Sequence, residues 1–157
     1  MNYKEFSIEI NNLIYSNFNT DEKVQKFDKL KKSIKLQTLH SRHISKILEI
    51  LNENKSFTIL DHGCGSCSTI LYLFCLGYED IWGVDVSCDE KIINNFLINI
   101  CKIKSQRIFN YDGDILPFTK NKFDLIVSQQ VLEHISFENK RKTINEISRV
   151  MKLNSYA

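Results

Sequence analysis

Hydrophobic and polar positions follow two different rhythms along this chain. Residues 1–54 show no strand-like alternation and read as helical. From Phe27 the apolar positions Leu30, Ile34, Leu39, Ile44, Ile47, Leu48 and Leu51 recur at roughly helical spacing. That spacing predicts a helix or a broken pair of helices, with Asn52 and Asn54 as a stop. From residue 55 short apolar runs alternate with longer amphipathic segments. Phe57–Leu60, Ile81–Val86, Arg107–Tyr111 and Phe123–Ser128 read as strands. Ser68–Leu76, ended by Gly77, reads as a helix, as do Cys88–Lys102 and Phe137–Lys152. Strands that are apolar throughout and alternate with helices predict an α/β fold, a parallel sheet covered on both faces. The expected organisation is a helical segment over 1–54 and an α/β domain over 55–157.

Composition narrows the picture only modestly. The chain has 157 residues, 43% of them hydrophobic, and a formal net charge of +2. That is enough chain for one domain with a real core, and the charge gives no electrostatic reason to expect nucleic acid as a partner. The small clusters Lys31-Lys32 and Lys140-Arg141-Lys142 read as solvated helix faces. The opening residues MNYKEFSIEINN lack a basic stretch followed by an apolar run, so no secretory signal is expected. No run of apolar residues is long enough to span a membrane. Five cysteines lie among core-type residues, which suits reduced thiols and predicts a cytoplasmic protein.

The chemistry gathers at a glycine turn. Asp61-His62-Gly63-Cys64-Gly65 follows the first strand and precedes a helix, so backbone N–H groups are presented to a polar ligand where two glycines let the backbone come close. Asp85 falls at the end of the next strand, where a carboxylate can accept hydrogen bonds from both hydroxyls of a ribose. The alternative is that the glycines only shape a turn and Asp85 caps the following helix.

Four segments in order resemble the class I S-adenosylmethionine-dependent methyltransferases. Ile59–Gly65 is similar to the family's first motif and Gly83–Ser87 to its second. Asp112–Phe118 resembles the acidic segment before the fourth strand, and Phe123–His134 the fourth-strand signature that ends Val-Leu-Glu-His. The resemblance implies a Rossmann-like fold with S-adenosylmethionine as cofactor. It makes Asp61, Gly63, Cys64, Gly65, Asp85 and Val86 cofactor-binding candidates, with Asp85 on the ribose. Asp114 with the backbone of Ile115 would recognise the adenine amino group, and Gln129 and Gln130 would border the methyl group and the acceptor entrance. An oxygen or nitrogen acceptor can require a base, for which His134 and Glu133 are the candidates. Both also stand where a helix is expected to begin, so capping or packing is the other reading. His62, between the conserved-type positions of the first motif, is assigned no chemistry. The compact motif set, with no Asn-Pro-Pro-Tyr-type element after the fourth strand, points to a small-molecule acceptor rather than nucleic acid.

The sequence departs from the family at two places. Cys67 stands where a further glycine is common. The family sheet has seven strands, and the last three, with their helices, are expected to be missing here. That would leave the fourth strand's edge open for a partner chain or a second copy. Three rival readings remain: a thiol oxidoreductase built on Cys64-Gly65-Ser66-Cys67, a nicotinamide-dependent oxidoreductase using the glycines and Asp85, and a cofactor-binding module without turnover. One C-x-x-C without a second pair, and His40 and His43 without partner ligands, give no reason to expect a metal.

Overall fold

The computed structural model describes residues 1–34 and 42–157; the expected positions Leu39 and His40 lie outside them. Three helices come first: α1 (Tyr3–Tyr15), α2 (Thr20–Ser33) and α3 (Arg42–Leu51). Asn2 caps α1, accepting from the Glu5 amide while the Glu5 side chain accepts from the Asn2 amide, so two orphan donors of the first turn are satisfied. The α/β part then runs β1 (Ile59–His62), α4 (Ser68–Cys75), β2 (Ile81–Asp85), α5 (Glu90–Asn99), β3 (Ile108–Asn110), β4 (Phe123–Ser128), α6 (Phe137–Val150) and β5 (Met151–Tyr156).

All five strands are parallel, in the order β3-β2-β1-β4-β5. The chain builds outward from β1 to β3, then returns to place β4 on the other side of β1. The direction of winding therefore reverses between β1 and β4, and an open α/β sheet leaves a crevice there at the carboxyl ends of its strands.

Neighbouring residues of each central strand face opposite sides. Ile59 and Leu125 join the larger core with α1 to α5, whereas Leu60 and Ile126 join a second core with Val84, Phe123 and, from α6, Ile147 and Val150. Rings extend that second core: Phe118 meets Trp82, Phe109 and Phe123 edge-on at 4.9 to 6.0 Å. The amino-terminal helices share the larger core. Phe6 is fully buried and meets the Tyr72 ring of α4 edge-on at 5.3 Å. Tyr3 and Ser7 hydrogen-bond Thr69 and Ser68 of the same helix.

The structure corrects the expected chain end. The last helix stops at Val150, not Lys152, and the next six residues are a fifth strand paired with β4 through Phe123↔Met151 and Leu125↔Tyr156. The residues Met-Lys-Leu-Asn-Ser-Tyr carry no apolar run, so pairing with the free edge of β4, rather than propensity, decides their conformation. Lys152 pins the strand, its ammonium 2.7 Å from Asp124 Oδ2, and Asp124 accepts from the Thr58 amide beside β1. Asn121 and Lys122 donate to the last carbonyls of α6. The edge of β4 is thus covered within the chain and needs no partner strand. Other boundaries shift too, two of them at the strand ends that matter for function. β1 runs two residues beyond the predicted strand, and Glu133 and His134 lie in a turn ahead of α6 instead of opening that helix.

Because Phe6 packs the amino-terminal helices against α4 in the larger core, Phe6→Ala is expected to destabilise the whole fold by about 3–5 kcal/mol. Equilibrium denaturation followed by circular dichroism should show one transition at lower denaturant rather than separate loss of the first helices.

Candidate functional site

The polar residues of the glycine motif sit where β1 runs out. Gly63 and Cys64 donate their amides to the Val84 carbonyl at 2.8 and 3.1 Å, which bends the chain off the end of the sheet. Gly63 has φ +77°, and a methyl group added to it would strike the Val131 side chain after β4. Gly65, at φ +49°, faces open space. Cys67 precedes α4 in the left-handed region at φ 61°, a conformation that favours glycine, with its thiol fully buried.

Above this turn lies a cavity of about 500 Å³, a size typical of small-molecule sites. Of the predicted cofactor residues, Gly63, Asp85, Val86, Asp114, Gln129 and Gln130 line it. Asp61, Cys64, Gly65 and Ile115 do not border it directly, and Ile115 is 68% exposed. Asp85 Oδ2 accepts from the Gly65 amide and Oδ1 from the Ser87 amide, both at 2.9 Å. Asp85 therefore ties the glycine turn to its own loop, and α5 is preceded by Asp89 instead. His134 lines the cavity; Glu133 does not, and the two solvent-facing side chains approach each other only to 3.9 Å.

Several lining residues were not picked out from the sequence. His62, Tyr111, Asp112, Gly113, Ser136 and Asn139 all border the cavity. Asp112 is legible in hindsight, since Asp-Gly-Asp offers two acids. Its carboxylate accepts from the Asp114 and Ile115 amides, which holds it below the usual carboxylate range and shapes the turn that presents Asp114.

Charge is unevenly distributed. Three aspartates, Asp85, Asp112 and Asp114, line the cavity and, among the described residues, no lysine or arginine does. Beneath them Asp61 is buried, and that burial, with Asp85 nearby, pushes its carboxyl up to about 7. The cysteines of the C-x-x-C are free thiols; Cys64 is pushed up by its hydrogen bond to Cys67 and by burial, the reverse of an activated thiolate. Among the described residues no group of three or more His, Cys, Asp or Glu is arranged to hold a metal ion, and no helix is long and apolar enough to cross a membrane.

Residues 60–157 match the family of methyltransferase domains. The chain belongs to that family. The methyltransferase domain is 32% identical over 111 residues to an uncharacterized protein of Methanocaldococcus jannaschii, covering 69% of this chain and 42% of that protein. It is 36% identical over 96 residues to a tRNA (carboxymethyluridine(34)-5-O)-methyltransferase of Arabidopsis thaliana, covering 60% of this chain and 21% of the other. The chain thus spans less than half the length of both relatives. Among solved structures, geranyl diphosphate C-methyltransferase from Streptomyces coelicolor, in complex with Mg2+, geranyl diphosphate and S-adenosyl-L-homocysteine, shares the fold. Its TM-score is 0.60 at 16% identity, over 91% of this chain and 51% of that one. Family membership makes S-adenosylmethionine the cofactor, and the residues present fit it. The open space beside Gly65 leaves the backbone of the turn approachable, and the carboxylates suit a cationic donor.

Two outcomes test this geometry. Gly63→Ala is expected to weaken cofactor binding far more than Gly65→Ala, since the first meets both a positive φ and Val131 while the second meets only strain of about 1–2 kcal/mol. Isothermal titration of the two variants checks the order. For Asp61, whose folded pKa is raised, the unfolded chain loses its proton first. Stability should therefore fall as pH rises from the ordinary carboxylate range to about 7, then level off. Asp61→Asn should accordingly melt higher than the wild type at about pH 8, with the gap closing toward about pH 4.

Proposed function

We propose that this methyltransferase domain transfers a methyl group from S-adenosylmethionine to a small-molecule acceptor. The observation that carries the reading is the cavity at the reversal between β1 and β4, lined by three aspartates and by no lysine or arginine among the described residues. A donor bearing a sulfonium and an ammonium is attracted there. The pyrophosphate of a nicotinamide dinucleotide, or a nucleic-acid backbone, would meet like charge.

Asp85 is assigned to the ribose hydroxyls, Gly63, Cys64 and Gly65 to the methionine end, and Val86 to one face of the adenine. Asp114 and Ile115 take the adenine amino group, with Asp112 supporting their turn. Asp61 orders the glycine turn from below. Gln129 and Gln130 border the acceptor entrance. When bound, S-adenosylmethionine supplies a methyl group already activated by its positive sulfur. What the chain adds is alignment and exclusion of water at the strand ends. His134 is assigned to take the proton of an oxygen or nitrogen acceptor, with Glu133 beside it on the solvent side. A second reading is a cofactor-binding module without turnover.

Calorimetric titration separates these readings. S-adenosylmethionine and S-adenosylhomocysteine are expected to bind and NAD is not, with Asp85→Ala weakening both by about a hundredfold through the loss of charged hydrogen bonds. Binding of NAD in their place would overturn the proposal. Undiminished cofactor binding without methyl transfer to small molecules or to tRNA would favour the module.

A further inference from the structure

His62 ends β1, paired with Ser128 of β4 on one side and Val84 of β2 on the other. It is 1% exposed, yet both ring nitrogens are engaged: Nδ1 lies 2.9 Å from Ser128 Oγ and Nε2 lies 2.9 Å from the Tyr111 hydroxyl. Tyr111 follows β3, and its amide donates to the Asp85 carbonyl at 3.1 Å. Its side chain therefore reaches over the end of β2 to meet β1. The three side chains form a bar beneath the cavity, from the ribose-side loop to the foot of Gln129, and His62 and Tyr111 both line it.

A bar of this kind is more than the fold requires. Three apolar residues of similar shape would fill the space at little cost, because a buried hydrogen-bonded pair adds little net stability over an apolar replacement. What the polar version adds is direction. A neutral imidazole donates from one nitrogen and accepts at the other, so the Tyr111 hydroxyl is engaged in either tautomer, accepting in one and donating in the other, with hydrogen-bonding capacity left for a ligand. Burial lowers the His62 pKa, opposed by the Asp85 charge, which keeps the ring neutral and adds no cation beneath a cationic donor.

We propose that the Tyr111 hydroxyl contacts the methyl donor between its ribose and its sulfur, and that His62 is the positioning residue that aims it. The inference rests on the S-adenosylmethionine reading of the cavity. It also gives the position between Asp61 and Gly63, left without chemistry by the motif, a role.

The test is the binding of S-adenosylmethionine and S-adenosylhomocysteine, by calorimetry, to Tyr111→Phe, His62→Asn, His62→Gln and the double variant Tyr111→Phe/His62→Asn. Asn can replace the ring nitrogen that meets Ser128 but is too short to reach Tyr111, whereas Gln reaches the position of Nε2. Tyr111→Phe and His62→Asn are each expected to weaken binding about tenfold, and the double variant no further than Tyr111→Phe alone. His62→Gln should stay within about threefold of the wild type. A merely structural histidine would instead rank the variants by melting temperature, with losses that multiply in the double variant. Wild-type affinity in Tyr111→Phe, or multiplying losses, would overturn the proposal. Tyr111→Phe keeps the ring and the fold, so it decides the matter alone if the His62 variants fail to fold. Wild-type protein that binds neither compound sinks the cofactor reading and this inference together. Binding that is lost in Asp85→Ala but unchanged in Tyr111→Phe sinks only this one.

Discussion

The structure depends on β1 being hydrogen-bonded on both sides, to β2 and to β4. Only a central strand can end with buried polar side chains, because its neighbours exclude water while offering partners from either flank. Asp61 and His62 occupy that end, facing opposite sides of the sheet. Asp61 points toward the larger core and pays a desolvation cost seen in its raised pKa. His62 points the other way and finds Ser128 and Tyr111. Glycines follow at once because the chain must turn under Val131 and return to Val84. The cavity is what remains above this convergence.

Much of this was legible in the residues. The alternation of short apolar runs and amphipathic segments marks an all-parallel sheet, since strands covered on both faces need no polar side. The distance from the glycine turn to Asp85 is set by one helix and one strand, so the acid could be placed at the cavity from spacing alone. The edges of elements were less readable. β1 extends through Asp61 and His62, and a reading based on hydrophobicity stops where polar residues begin, which is where a ligand site begins as well. β5 was invisible because its pairing comes from the open edge of β4 and from the Lys152–Asp124 contact, not from its own residues. The bar from Tyr111 to Ser128 joins side chains 49 and 66 positions from His62, beyond the reach of any local pattern.

Electrostatics and backbone geometry act together at the site. Asp85 serves the glycine turn and its own loop through backbone amides, so both its oxygens are already oriented. Asp112 does the same for the turn carrying Asp114. Fixing carboxylates with amides rather than with lysine or arginine keeps their charge uncompensated at the cavity wall. Such an arrangement raises the energy of the unliganded site and rewards a cation that enters it.

The fifth strand carries one more consequence. Between its two paired positions β5 advances from Met151 to Tyr156 while β4 advances only from Phe123 to Leu125, so the outer strand bulges away, with Asn154 at φ 63°. Its outer rim therefore presents a bent, broken row of amides and carbonyls, although Leu153 is 91% exposed there. A flat rim would be a template for self-association into stacked sheets. A kinked one is a poor template for such pairing.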